Sequence, residues 1–161
     1  MTATNKQVRR YWVMKSEPSA FSIDDLKKQR KTSWDGIRNY QVRNLIRDEI
    51  SVGDIALFYH SSSDSIGVAG EMEVISQAYA DLTQFNKKDS HFDPKSSKDD
   101  PTWLCLDVKF IEKYNQIILL KDIKSLPVMK DSRLVSRGNR LSVFEISKEQ
   151  YEAVKALAEV G

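Results

Sequence analysis

A single cysteine, Cys105, occurs in the 161 residues, so no internal disulfide can form. A chain this poor in thiols fits a reducing compartment, and a cytoplasmic location is expected, or a nuclear one in a eukaryote. Only two histidines, His60 and His91, accompany that cysteine, too few for a His/Cys zinc site, and no metal or cofactor is expected. No apolar run approaches the ~18 residues of a membrane-spanning helix. The first ten residues are basic in part but precede no apolar stretch, so neither a membrane partner nor a secretory signal is expected. Charge of one sign is scarce as well: 25 Lys+Arg against 23 Asp+Glu leave a net charge of +2. That excludes a protein that coats nucleic acid by bulk charge, and any phosphate contact must come from a local patch. The chain also lacks a Gly-x-Ser-x-Gly elbow, a Gly-rich phosphate loop, a His-Glu-x-x-His motif and any internal repeat.

What is present is the composition of a globular chain, 40% hydrophobic and 30% charged. Its length suits one domain with a real core, expected over residues 11–161 behind a flexible tail of residues 1–10. The organising stretch runs from Thr32 to Asn44, Thr-Ser-Trp-Asp-Gly-Ile-Arg-Asn-Tyr-Gln-Val-Arg-Asn. Asn39 reads as an N-cap, because its side chain can accept from free N–H groups of a first helical turn. Val42, Leu45 and Ile46 then share one helix face, flanked by Arg43 and Arg47. Trp34 precedes an Asp35-Gly36 turn and is either a core residue at a strand end or the wall of a site.

Around this stretch, Tyr11–Lys15 reads as a strand stopped by Pro18. Ser22 with Asp25 reads as a capping box, and Lys27–Lys31 as a solvated helix end. Residues 55–60 have the length of a buried strand, paired in a hairpin with 66–75, where Gly67 and Gly70 predict a bend or bulge. Residues 80–101 form a long polar loop, and loops of this length are often functional. In 103–110 the alternation predicts Leu104, Leu106, Val108 and Phe110 in the core, with Trp103, Cys105, Asp107 and Lys109 on the other face. Residues 136–140 form a basic turn, 141–146 a last strand, and Ser147 with Gln150 caps a C-terminal helix. Scattered helices without regular strand–helix alternation predict an α+β fold: a mixed β-barrel of about five to six strands decorated by short helices.

The chemistry in these segments is sparse. Cys105 reads as a packed residue, and His60 as a general base by type or a polar strand end. Lys15-Ser16-Glu17 could move a proton if burial shifted a pKa, or could form an ion pair at the barrel mouth. More abundant are aromatics near cations: Trp34, Tyr40, Tyr59 and Trp103 with Lys15, Arg38, Arg43, Arg137 and Arg140. Aromatic planes can stack a splayed-out base while cations position its phosphates.

Tyr-Trp-Val-Met-Lys-Ser-Glu-Pro (11–18), Trp-Asp-Gly-Ile-Arg-Asn-Tyr-Gln-Val-Arg-Asn (34–44) and Gly-Asp-Ile-Ala-Leu-Phe-Tyr-His-Ser (53–61) carry a resemblance. So do Phe-Asp-Pro-Lys-Ser (92–96), the 103–110 strand and Arg-Leu-Ser-Val (140–143). In order and spacing these segments resemble the EVE domain family of the PUA-like superfamily, related to the YTH readers of methylated adenine. The resemblance implies a PUA-like barrel that binds nucleic acid, DNA or RNA, carrying a modified base, without catalysis; a monomer is expected. It implies a base pocket built from Lys15, Ser16, Glu17, Trp34, Asn39, Tyr40, Tyr59, His60, Ser61 and Trp103. Arg38, Arg43, Arg47, Arg137 and Arg140 are then expected on the phosphate backbone. Trp34 and Trp103 are expected as two walls of the pocket, with Trp34 dispensable for folding. The alternatives are a PUA-like nucleobase or nucleoside hydrolase using Lys15 and Glu17, and a general RNA-binding module.

Overall fold

A computed structural model describes residues 8–62 and 64–160, and most of the expected flexible tail lies outside them. The last residue of that stretch, Arg10, is tied into the fold. Its backbone N–H donates to Asp54 at 3.0 Å, and its guanidinium binds Glu145 at 2.8 Å and Glu49 at 3.0 Å.

Seven strands form one mixed sheet. They are β1 (Tyr11–Ser16), β2 (Lys31–Trp34), β3 (Ile55–His60), β4 (Gly67–Val74), β5 (Tyr79–Ala80), β6 (Leu104–Leu119) and β7 (Val143–Ile146). The order is β2-β6-β4-β3-β1-β7, with β5 on β6, and no ladder among the described residues joins β2 to β7. β1 runs parallel to β3 and antiparallel to β7. Central position explains why Trp12, Val13 and Met14 are all buried, on both faces of β1.

Two of the seven strands, β2 and β5, are not legible in the sequence, and each is short. β2 begins at Lys31, the last residue of the basic run read as a helix end. Helix α1 (Ile23–Gln29) stops at Arg30, whose φ of 72° turns the chain directly into β2. β5 is two residues long and carries no alternation to detect. Conversely, β6 does not end at Phe110. It continues through nine more residues, although Glu112, Lys113, Asn115 and Gln116 break the apolar pattern, because β4 pairs with it as far as Gly67↔Leu119.

The expected hairpin of β3 and β4 is present, with register shifts along both ladders of β4. Gly67 and Gly70 are where β4 crosses close to β6. A Cβ at either position would lie 2.1 or 2.2 Å from a carbonyl oxygen of β6. The strand therefore needs glycine there in order to bend.

Leu106, Val108, Ile55, Leu57, Val68 and Val74 share one core, as the alternation predicts. Leu104 and Phe110 are only partly buried against it. The opposite face of β6 is less open than expected: Trp103 and Cys105 are buried too, because the loop after β5 folds back over the start of that strand. Helices α2 (Tyr40–Asp48), α3 (Leu120–Lys124) and α4 (Lys148–Val160) complete the chain. Asn39 caps α2 through Val42 N–H at 3.0 Å, and Ser147 and Gln150 cap α4 reciprocally at 2.9 and 3.0 Å. α4 is fastened to the sheet by buried Glu71, which accepts from Tyr114 Oη at 2.6 Å and Tyr151 Oη at 2.7 Å.

Candidate nucleic-acid interface

A cavity of about 730 Å³ opens where β1 ends and β2 leads into α2. Residues 15–17, 20–21 and 32–39 line it, with His91 and Ser142. Trp34 is its large aromatic and is also core, only 8% exposed. Its indole meets Phe58 edge-on at 5.4 Å and Phe21 at 6.4 Å between ring centroids. Trp34 is thus a core residue that also lines the cavity, and the expectation that it is dispensable for folding does not fit this packing.

Lys15 supplies a cation at the cavity. Its Nζ lies 5.4 Å from the Tyr59 ring centroid and 5.5 Å from that of Phe144. Among the described residues it has no carboxylate partner. Burial lowers its pKa, since a half-desolvated ammonium is disfavoured. Glu17 is exposed, and no hydrogen bond or ion pair joins it to Lys15 among the described residues. The expected ion pair at the mouth is therefore not formed. Ser16 Oγ donates to Phe21 O at 2.6 Å, holding the β1 end against the turn before α1.

Four of the expected pocket residues do not line the cavity as side chains of its wall, and a fifth stands beside it. Tyr59 is buried behind Lys15. His60 Nε2 accepts the Ile23 N–H at 3.1 Å, at the start of α1. Burial lowers its pKa, so the neutral ring with its proton on Nδ1 is the form that this bond requires. His60 is the polar strand end, not a base poised at the cavity. Ser61 donates its backbone N–H to Ser16 O at 3.0 Å. Trp103 is 5% exposed and donates Nε1–H to Asp93 at 2.7 Å. It is not the second wall. Its ring lies 4.8 Å from that of Tyr40, which projects into solvent next to Asn39, 61% exposed.

Trp103 is placed there by the long polar loop, which is ordered by its own side chains. Gln84 is fully buried in that loop; its Nε2 donates to Asp81 O at 2.6 Å and Trp103 O at 2.8 Å. Its Oε1 accepts from Ser96 Oγ at 2.5 Å and Trp103 N–H at 2.9 Å. One amide with all its groups satisfied thus folds the loop onto β6.

Arg38 locks the same loop to the 35–39 segment. Its guanidinium donates to His91 O through Nε and Nη2, and to Ile37 O, Asp81 Oδ2 and Thr83 Oγ1. Those five contacts use its five N–H groups, leaving none for a phosphate. Arg38 is a clamp. Buried Asp81 also accepts from Gly36 N–H at 2.8 Å and from both donors of Thr83. Burial alone would raise its pKa, but those bonds outweigh it and the carboxyl is held below its usual range.

The other four arginines differ. Arg43 donates to Thr102 O at 2.9 Å and lies over Tyr40. Arg47 is paired with Asp48 in solvent. Arg137 and Arg140 are exposed in the basic turn leading to Ser142, where Gly138 takes a φ of 74°. Among the cavity residues that sequence reasoning did not name are two with titratable side chains, Asp35 and His91. The only signals were their places, beside Trp34 and within the long loop. His91 donates its N–H to Asp89 at 2.8 Å and packs its ring on Gly36, where a Cβ would lie 2.9 Å from His91 Nε2. Cys105 is inert by comparison, its thiol pushed up to about 12 by burial.

A curved mixed sheet, crossed by helices and opening on an aromatic cavity with a half-buried cation, defines an α+β domain of the PUA-like class. The EVE domain family profile matches residues 10–157, and the chain belongs to that family. Human thymocyte nuclear protein 1 is 39% identical over 173 residues, covering 96% of this chain and 76% of the relative. A hypothetical protein from Leishmania major superposes with a TM-score of 0.89 at 42% identity, covering 95% of this chain and 96% of that one. The human THYN1 protein in complex with DNA containing 5-methylcytosine superposes with a TM-score of 0.87 at 38% identity, covering 93% and 98%.

Proposed function

We propose that this domain binds DNA carrying a modified base, with 5-methylcytosine as the first candidate, and takes that base into the cavity beside Trp34 without catalysis. The observation that carries the reading is the cavity itself, which joins an indole anchored in the core to a lysine that no carboxylate among the described residues neutralises. A base that leaves the helix loses its stacking partners, and an aromatic surface replaces them. A 5-methyl group gains further by leaving water, by up to ~0.8 kcal/mol when fully buried. The similarity to a protein crystallised with 5-methylcytosine DNA supports the choice of ligand. Phosphate contacts fall to Arg43, Arg47, Arg137 and Arg140, with Arg38 excluded by its own bonds.

Binding of matched oligonucleotides with methylated or unmethylated cytosine tests this. The methylated strand is expected to bind more tightly, and equal binding would overturn the reading. Trp34→Phe should keep part of the preference. Trp34→Ala should remove it and also cost about 3–5 kcal/mol of stability, as loss of a buried aromatic does. Equal or tighter binding of RNA, steeply salt-dependent and blind to modification, would favour the general RNA-binding reading. A hydrolase built on Lys15 and Glu17 requires those two side chains to act together; release of free base from a modified nucleoside would reveal it.

A further inference from the structure

5-Methylcytosine and thymine carry the same methyl group on rings of the same size, and both have a carbonyl at position 2. Stacking on Trp34 and burial of the methyl group therefore hold them equally well. A cation such as Lys15 reaching the 2-carbonyl would hold both as well. They differ along one edge: at position 4 cytosine has an amine that donates and thymine a carbonyl that accepts, and at position 3 cytosine has a ring nitrogen that accepts and thymine an N–H that donates. An acceptor facing position 4 lets a cavity take methylated cytosine from thymine-containing DNA, because polar mismatch discriminates far better than shape.

Two side-chain carboxylates line the cavity, Asp35 and Glu17. Asp35 directly follows Trp34 and precedes Gly36, whose N–H is pinned to Asp81 at 2.8 Å. One Asp35 oxygen accepts from the Ser33 hydroxyl at 3.3 Å. The other has no protein donor among the described residues. The carboxylates nearby are engaged: Asp81 with Gly36, Arg38 and Thr83, and Asp89 with the backbone and ring of His91. Glu17 lies at the end of β1 with no bond among the described residues to orient its carboxylate. Asp35 alone is a cavity carboxylate that is both oriented and open.

We propose that Asp35 is the specificity-determining residue of the cavity, accepting a hydrogen bond from the 4-amine of a cytosine-type base and rejecting thymine, whose 4-carbonyl meets it acceptor to acceptor. This rests on the modified-base reading above. Glu and Asp are suited to this contact in general, because a carboxylate only accepts and the amine only donates.

The test uses fluorescence anisotropy with oligonucleotides differing at one base: 5-methylcytosine, cytosine, thymine, and 5-methylpyrimidin-2-one, which lacks the 4-amine. The native protein is expected to bind 5-methylcytosine about tenfold more tightly than thymine or the amine-free base. D35A should bring those three to near equality, chiefly by weakening 5-methylcytosine. D35N, which can turn its amide to donate to the 4-carbonyl, should narrow the ratio by strengthening thymine. If the native protein prefers 5-methylcytosine to both cytosine and thymine while D35A and D35N keep the full ratio to thymine, Asp35 is not the reader and the modified-base reading stands. If the native protein does not separate 5-methylcytosine from cytosine, that reading fails and this proposal falls with it. Should D35A unfold, D35N and the amine-free base decide: an unchanged D35N ratio, or equal binding of the amine-free base by the native protein, overturns the proposal.

Discussion

Trp34 illustrates how one residue can serve two environments. Its backbone pairs with Leu106 across β2 and β6, its ring edges meet Phe58 and Phe21, and the remaining surface forms cavity wall. A stacking surface held by core packing loses little conformational freedom when a base arrives, which favours binding. Asp35, its neighbour, keeps an exposed carboxylate at the same cavity. Burial chiefly, and the charge of Asp81 next, raise its pKa, against the Ser33 hydroxyl. A raised carboxyl pKa means that the folded state holds a proton the unfolded chain has released. Stability therefore falls as pH rises from the unfolded value, about 3.9, through the raised folded value, and stays lower above it. Asp35→Asn removes that penalty, which solvent around the exposed side chain keeps small. Thermal melts from pH 3 to 7 are expected to show a higher midpoint for the variant at pH 7 and a shallower decline between acid and neutral pH. An equal or lower midpoint at pH 7 would contradict this account.

At the scale of elements, the geometry depends on how closely β4 approaches β6. The β6 strand is long enough to pair with β2, β4 and β5, and β4 bends along it through two glycines. Gly70→Ala would place a Cβ 2.2 Å from Glu112 O and 3.0 Å from Ile23 Cδ1. The backbone carbonyl cannot move without opening the ladder, so a loss of about 1–3 kcal/mol or more is expected in chemical denaturation. Gly53→Ala is the contrasting case. Nothing lies within 4 Å of its Cβ, and only the φ of +96° opposes the substitution. It should cost no more than the ~1–2 kcal/mol of a left-handed backbone, and a Gly70 variant as stable as the Gly53 one would refute the close-approach argument. The loop between β5 and β6 is the other decisive element. Gln84, Asp81 and Arg38 saturate one another and neighbouring backbone groups, so a polar segment becomes a rigid cover over β6. Half-satisfied, the same network would be a liability.

For the molecule as a whole, the net charge of +2 leaves little long-range attraction to DNA. On the proposed reading, affinity comes from the cavity and a few phosphate contacts. Substituting Arg137 and Arg140 together by Ala is expected to lower the slope of log affinity against log salt by about 2, roughly one for each phosphate that an arginine had neutralised. The preference for a methylated strand should be unchanged. A weaker preference with an unaltered slope would move the basic turn from the phosphates to the base.

The sequence by itself determined what depends on near neighbours. The caps at Ser22, Asn39 and Ser147, the β3–β4 hairpin with its glycine bend and the buried face of β6 from Leu106 to Val108 are set by periodicity and short-range hydrogen bonding. Motif order across residues 11–143 was also enough to identify the family, because several spaced segments must agree at once. Only the tertiary structure decided where long side chains spend their bonds. Arg38 has the same charge as Arg140, yet partners 43 to 53 residues away consume nearly every donor of the first. Trp103 stands at the start of a strand like any site aromatic, yet Gln84 and Asp93, 19 and 10 residues away, turn it into a loop anchor. Asp35 and His91 meet at the cavity from segments more than fifty positions apart. A hydrogen bond has a reach of about 3 Å, and which groups come within it is a property of the folded chain that no local pattern records.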